Sequence, residues 1–452
     1  MTQLIPFQKE GVRQIYRFAG RALLADQMGL GKTLQALYWL LKIPSRRPAV
    51  IVCPASMKYT WQAEAQLHFN LHTEVLEGCN PTTTELPGEI VILNYNILSY
   101  WLPVLLKARP RAVIFDEVHF IKSPTAKRTK HSIQLADSAD SVVGLSGTPL
   151  TNRPIELWTV LRAICPTLFP SREKYAWEYC APRYTIWGWR FDGATNLPKL
   201  NRVLRENCMI RRLKKDVLQE LPAKQSRYVC FRLKSYREYD EAQNNFIAWL
   251  QKQDPKKAKR AQKAEAISKI GYLMRLCARL KLQWTEQWIR DFFEAHPGKK
   301  LVAFTMHTFV IDYLKERFSQ RCVVIDGRVP SRERQDAVRQ FRSHARKDLF
   351  LGNWQAAGVG ITLVSAHNIA ALDFPWTPGD LLQGGDRCHR IGQRNEVIMH
   401  YLALLGTVEE KQINLLRKKT KVLDAVLDGA RDSQDLDIFN ELLKEFQNEN
   451  RQ

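Results

Sequence analysis

The chain reads as an α/β protein with parallel sheets, in two similar halves separated by a helical stretch. Three observations predict this. Short apolar runs alternate with amphipathic helical patterns in both halves, as strand, crossover and parallel strand do. One such run, in LLADQMGLGKT (23–33), opens into a glycine-containing turn ending in Gly-Lys-Thr, then a helix apolar at Leu34, Leu37, Leu40 and Leu41. Polar residues suited to chemistry fall at the ends of the apolar runs, where an open α/β sheet meets its ligand.

The 452 residues are enough for two core-bearing domains. Lys and Arg number 68 against 46 Asp and Glu, a formal net charge of +22. That excess favours a polyanionic partner, with nucleic acid ahead of a membrane surface. No apolar run is long enough to span a bilayer, and the start, MTQLIPFQKEGVRQ, lacks the charged and apolar regions of a signal peptide. The protein is expected to stay where it is made, cytoplasmic and nucleoid-associated, or nuclear in a eukaryote. Its nine cysteines form no C-x-x-C pair, so they read as reduced thiols, neither a zinc site nor a disulfide framework.

In the 23–33 segment, Gly29 and Gly31 let backbone N–H groups converge on a polyphosphate, with Asp26, Gln27, Met28 and Leu30 making up the cradle. Lys32 can reach the β and γ phosphates and the Thr33 hydroxyl can hold Mg²⁺. The general pattern G-x-x-x-x-G-K-[ST] has glycine where this chain has Asp26. Ahead of the loop, the Gln8 amide can donate to and accept from an adenine edge, with Phe7 beside it; taken alone, such a residue is more often a surface glutamine. PAVIVCPASMKYTWQAE (48–64) supplies a buried strand, then Pro54 and a helix opening near Ser56. EIVILNYNIL (89–98) is another strand, ending in Asn94, Tyr95 and Asn96. RAVIFDEVHF (111–120) ends a strand in Asp116 and Glu117: the first carboxylate can hold Mg²⁺ and the second can polarise an attacking water. VVGLSGTPLTN (142–152) ends another in Ser146, Gly147 and Thr148, small residues able to sense a nucleotide.

Residues 153–281 have a different texture. YAWEYCAPRYTIWGWRF (175–191) is aromatic and basic, IRRLKKDVLQELPAK (210–224) follows, and QKQDPKKAKRAQK (251–263) is lysine-rich. Packing of a protrusion is favoured over base stacking for Trp187 and Trp189. A solvated helix face accounts for 251–263 as well as a DNA grip does. From 299 the α/β pattern resumes in KKLVAFTMHT, CVVIDGRVPSRERQDAVRQF and LFLGNWQAAGVGITLVSAHNIAALDFPW, without a second phosphate loop. QGGDRCHRIGQ (383–393) then places Arg387 and Arg390 three apart, on one face of a helix, where arginines can reach a γ-phosphate. One phosphate loop in two similar halves suggests a nucleotide between them.

The segments DQMGLGKT, DEVH and SGTP, with QGGDRCHRIGQ after them, resemble motifs I, II, III and VI of the Swi/Snf-type ATPases of helicase superfamily 2. That family carries an acidic residue at the Asp26 position. The order FPSREKYAWEYC, WGW, NLPKLNRVLRE, RRLKKDVLQELPAK is similar to its annealing-helicase (HARP-like) branch, and GTVEEKQINLLRKKTKVLDAVLDG resembles the family's closing helix. The resemblance implies two RecA-like lobes with helical protrusions between them: lobe 1 over 1–165, protrusions and linker over 166–285, lobe 2 over 286–430, and a charged tail over 431–452. It implies ATP and Mg²⁺ as cofactors, catalysis by Glu117, Arg387 and Arg390, metal at Thr33 and Asp116, and coupling through Ser146 to Thr148 and Gln383. DNA is implied along Pro54, Met57, Tyr95, Thr305, Gly358, Gly360 and Thr362. Gly384 and Gly385 stand where the family commonly has alanine and an acidic residue, and are expected to loosen the start of their helix.

The implied function is a monomeric DNA-dependent ATPase that translocates on duplex DNA and remodels or re-anneals branched DNA or DNA–protein complexes. A protein partner would choose its substrate, because the motor pattern begins at residue 4 without an accessory recognition domain. The alternatives are a strand-separating helicase and a DNA-binding scaffold without turnover.

Overall fold

The computed structural model describes residues 2–81, 85–150, 153–186, 188–244, 265–354 and 361–428. The chain divides into two compact units, Met1–Leu221 with the end of the last described helix from Lys419, and Pro222–Lys418.

The first unit is organised on a seven-stranded sheet among the described residues. Its spatial order is Glu74–Val75, Ile90–Asn94, Ala49–Cys53, Ala112–Asp116, Ser141–Leu145, Arg21–Leu24 and Met209–Ile210, and each neighbouring pair is parallel. Alternation along the strands divides their side chains between two layers. Val50, Val52, Val91, Leu93, Val113 and Phe115 face one core with helices Leu98–Lys107, Lys127–Asp137 and Pro154–Ile164. Ile51, Ile90, Ile92, Ile114 and Val143 face the other, with helices Pro6–Arg17, Lys32–Lys42 and Lys58–Phe69. Burial on both faces explains why the strands read as continuous apolar runs.

Among the described residues the second unit carries a six-stranded parallel sheet in the order Lys224–Phe231, Val397–Leu404, Asn368–Ala371, Leu301–Thr305, Leu349–Asn353 and Cys322–Ile325. A buried ion pair stabilises one end of it. Lys281 Nζ lies 2.7 and 2.8 Å from the two carboxylate oxygens of Glu409 and donates to the Leu402 carbonyl at 2.8 Å. Glu409 also accepts from the Leu404 N–H at 2.8 Å, and burial pushes its carboxyl upward against the pull of Lys281.

Residues 166–285, read as protrusions and linker, also contribute to both sheets: Met209–Ile210 completes the first beside Arg21–Leu24, and Lys224–Phe231 forms an edge strand of the second. The first strand is too short to read from a pattern, and the second alternates half-buried and exposed residues with polar ones among them. The region also holds an antiparallel hairpin, Arg183–Thr185 with Gly188–Arg190. On it Trp189 packs edge-on against Trp177 and Tyr184, at 4.5 and 5.3 Å between ring centres. Trp187, the run 251–263 and the tail lie outside the described residues. All nine cysteines are free. No helix among the described residues is long and apolar enough to cross a membrane.

Removing one partner of a buried ion pair leaves an uncompensated charge, which costs about 3–5 kcal/mol, whereas an apolar pair of similar volume is near neutral. Lys281→Ala should therefore lower the urea midpoint of unfolding markedly, and the double variant Lys281→Met/Glu409→Leu should recover most of the loss. A double variant as unstable as the single one would contradict the assignment.

Candidate active site

Three strands that are neighbours in the first sheet deliver the candidate chemistry at their C-terminal ends. Arg21–Leu24 leads into the phosphate loop, Ala112–Asp116 ends on the first carboxylate, and Ser141–Leu145 runs between them to Ser146. Gly29 and Gly31 adopt φ of 84° and 73°, the left-handed region that glycine enters without strain. At Gly31 a Cβ would also come 2.4 Å from Gln8 Nε2, so that amide would have to move. Helix Lys32–Lys42 begins directly after it, and its first N–H groups lack intrahelical partners, as at any helix start.

The loop is held from behind. Asp26 has no exposed surface and accepts from Gln35 Nε2 at 3.0 Å and from the N–H and Nε of Arg212 at 3.1 and 2.9 Å, with a further close contact to Arg212 Nη2. Gln27 Oε1 accepts from the Lys214 N–H at 2.7 Å. Gln8 is buried, its Nε2 donating to the Leu30 carbonyl at 3.2 Å and its Oε1 accepting from the Ile5 N–H at 3.2 Å. Asp26 thus anchors the loop to Arg212, and Gln8 supports the loop through its amide. Met28 and Leu30 are buried, so only their main chain can line a cradle.

Opposite the loop, Asp116 accepts from Trp61 Nε1 at 2.8 Å and from the Glu117 N–H at 2.9 Å. Burial, with the neighbouring Glu117 carboxylate behind it, pushes its carboxyl up to about 7. Lys32 is pushed down by burial, against the opposing pull of Glu117, Asp26 and Asp116, and its Nζ donates to the Asp26 carbonyl at 2.8 Å. Glu117 occupies the left-handed region at φ 47°, a conformation costly for a non-glycine residue and concentrated at functional sites. Ser146 Oγ lies 3.4 Å from Glu117 Oε2, His119 Nδ1 lies 3.3 Å from the same oxygen, and the Thr148 N–H donates to Ser146 Oγ at 3.2 Å. The structure thus joins the Asp-Glu pair to the Ser-Gly-Thr segment.

A nucleotide with Mg²⁺ fits this donor set. Lys32 and the helix start supply positive charge. A hydroxyl at Thr33 and a carboxylate at Asp116 are ligand types Mg²⁺ takes when phosphate oxygens and water complete its shell. The Thr148 Oγ1 is buried with no hydrogen-bond partner among the described residues.

In the second unit Arg387 and Arg390 do not lie on a helix. Helix Pro378–Gly385 ends before them and they occupy the following turns, so the three-residue spacing does not place them on one helical face. Arg387 Nη1 is 3.5 Å from the Ile361 carbonyl and Arg390 Nη1 donates to Thr362 Oγ1 at 2.8 Å. Buried Gln393 holds this turn, its Nε2 donating to the carbonyls of Val364, Ala366 and Cys388 at 3.2, 2.9 and 3.2 Å. Gly384 and Gly385 close the helix and do not loosen its start. A Cβ at Gly384 would meet Trp354 at 2.4 Å, so packing explains that glycine. Gln383 is buried.

Of the residues expected along DNA, Pro54, Tyr95 and Thr305 are buried, with Tyr95 donating to the Asp116 carbonyl at 2.8 Å and Thr305 to Asp373. Met57 is partly buried against the core that holds Ile51, Ile92 and Ile114, and Thr362 is exposed. Gly358 and Gly360 lie outside the described residues. Sequence reasoning missed Arg211, Arg212 and Trp61. Each acts across the fold on a residue distant in the chain, and no local pattern announces it.

Comparison with known proteins supplies the family. A model of the SNF2-related domain matches residues 7–287, and one of the helicase conserved C-terminal domain matches 281–392. The chain belongs to the SNF2-related family. It is an SNF2-type ATPase of helicase superfamily 2, close to the annealing-helicase branch. Among its relatives, the SWI/SNF-related matrix-associated actin-dependent regulator of chromatin subfamily A-like protein 1 of Xenopus laevis is 35% identical over 93% of this chain and 44% of its own length. The DNA annealing helicase and endonuclease ZRANB3 of Mus musculus is 32% identical over 95% of this chain and 41% of its own. The chain therefore spans less than half the length of these relatives. A solved Sulfolobus solfataricus SWI2/SNF2 ATPase core in complex with dsDNA aligns over 95% of this chain and 94% of its own, at 24% identity and a TM-score of 0.46.

The Asp116 shift has a sign that can be measured. With its carboxyl near 7 in the fold and near 3.8 when free, the folded SNF2-type core holds a proton between those values that the unfolded chain releases. Stability from this group therefore falls as pH rises from about 4 to about 7. In metal-free buffer without nucleotide, the thermal midpoint of the wild type should drop more between about pH 5.5 and 7.5 than that of Asp116→Asn. Parallel pH curves for the two would refute it.

Proposed function

We propose that the chain is a DNA-dependent, Mg²⁺-requiring ATPase that translocates on duplex DNA and remodels or re-anneals branched DNA or DNA–protein complexes. The observation that carries this reading is the convergence of Lys32, Asp116, Glu117 and Ser146 at adjacent strand ends in an SNF2-related chain. Lys32 and the N–H groups of the helix start bind the phosphates, and Thr33 and Asp116 would hold Mg²⁺. When bound, Mg²⁺ neutralises charge developing on the transferred phosphoryl group. Glu117 orients and polarises water, and Ser146 reports on that carboxylate through their shared hydrogen bond. We assign Arg387 and Arg390 to charge stabilisation during hydrolysis, a role typically worth about 10³–10⁵ in rate.

The net charge of +22 supports a polyanionic partner. A motor that moves along arbitrary sequence holds DNA by its phosphates. Affinity should accordingly fall by about 0.9 log units per log unit of salt for each duplex phosphate neutralised. Re-annealing as the output draws on the relative named as a DNA annealing helicase. The eukaryotic sources of the relatives favour a nuclear over a nucleoid-associated placement.

ATP turnover should be low alone and rise with duplex or forked DNA, and Lys32→Ala and Glu117→Gln should abolish the rise while DNA binding persists. ATP-driven displacement of a triplex-forming strand, without separation of a tailed partial duplex, is the expected mechanical signature. Unwinding without triplex displacement would replace this reading with a strand-separating helicase. Wild-type turnover by either variant would mean that the site is misassigned.

A further inference from the structure

Two consecutive arginines, Arg211 and Arg212, follow the short strand Met209–Ile210, and they serve different parts of the site. Arg212 grips Asp26 and donates to Gln35 Oε1 at 2.8 Å, at the start of the phosphate loop and the first turns of its helix. Arg211 is buried and reaches elsewhere. Its Nη1 donates to the Ala25 carbonyl at 2.8 Å and to the Gly147 carbonyl at 2.9 Å, while Nε and Nη2 hold the Asp428 carboxylate at 2.7 and 3.1 Å.

Asp428 directly follows helix Val408–Leu427, and the end of that helix has a built seat. Val426 and Leu427 have no exposed surface and pack into one core of the first sheet. The last carbonyls of a helix lack intrahelical partners, and here other side chains supply them. Asn201 Nδ2 donates to the Val426 carbonyl at 2.7 Å, and Arg205 Nη2 to that of Leu427 at 3.2 Å. Arg205 Nη1 also donates to the Arg211 carbonyl at 3.2 Å. The helix end, Arg211 and the peptide between Ser146 and Thr148 therefore form one bonded series.

We propose that Arg211 is a positioning residue for ATP hydrolysis, and that the seated helix end, through Asp428, holds Gly147 and with it Ser146 and Glu117 in hydrolysing geometry. The proposal rests on the reading of Glu117 as the group that acts on water. Two physical facts make the link stiff. The guanidinium satisfies two carbonyls and a carboxylate in one plane, which a lysine cannot do. Gly147 has no slack, because a Cβ there would lie 2.4 Å from Met28 Cγ. Releasing Asp428 leaves the buried Arg211 cation without its carboxylate fork, so the Gly147 peptide loses its fixed partner. Arg212 governs the cradle and therefore binding, whereas Arg211 governs the residues beside the attacking water.

The test is a split between KM and kcat in the full chain, with turnover measured with and without duplex DNA and thermal midpoints measured alongside. Asp428→Asn and Arg211→Lys should lower kcat about tenfold or more while KM for ATP stays within about twofold. Arg212→Gln should do the reverse. Because Arg211 is buried, Asn201→Ala serves as a milder variant that loosens the helix end without touching the arginine, and it should lower kcat in the same direction. Wild-type kcat in Asp428→Asn, equal changes in kcat and KM, or a loss matched by the unfolded fraction would overturn the proposal. Turnover that ignores DNA would contradict the proposed DNA dependence and leave the Asp428 comparison decisive.

Discussion

A carboxylate with no exposed surface has to be compensated, and the placement of the phosphate loop follows from how Asp26 is compensated. Its partner is Arg212, far along the chain, which reaches it because Met209–Ile210 lies parallel to the strand that feeds the loop. The same pairing brings Arg211 to Ala25 and Gly147. One buried acid and two arginines thus connect the loop, the Ser-Gly-Thr segment and the end of the last described helix. Replacing Asp26 by glycine, as the general phosphate-loop pattern has it, would leave Arg212 without its carboxylate.

The second unit meets the same constraint independently. Lys281 and Glu409 are both buried, and each has additional main-chain partners, the condition under which a buried pair persists. In both units a buried acid is matched to a base on a distant segment. Such pairs specify which segments meet, while the apolar layers on the two faces of each sheet provide most of the stabilisation.

The candidate site is electrostatically unsatisfied on its own. Asp116 is pushed up toward neutrality by burial and by the neighbouring Glu117 carboxylate, and Lys32 is pushed down by burial against the pull of the carboxylates around it. Glu117 holds a backbone conformation that costs energy. Paired shifts of this kind are relieved by a ligand carrying both a cation and phosphate oxygens, which is the chemistry of a Mg²⁺ nucleotide.

Residue order by itself determined the alternation of strands and helices, the glycine turn into the helix at Lys32, the strand-end Asp116–Glu117 pair and the Ser146 segment. Each is written in consecutive residues, and a strand buried on both faces cannot avoid being a continuous apolar run. Tertiary structure decided what those residues touch. It turned Gln8 and Asp26 into supports of the loop, buried Tyr95 and Thr305, and put Arg387 and Arg390 in turns beyond a helix that Gly384 closes against Trp354. It also recruited Arg211, Arg212 and Trp61. A buried polar group takes whichever partner the packed chain brings within about 3 Å, and that partner can lie nearly two hundred residues away, where no local pattern records it.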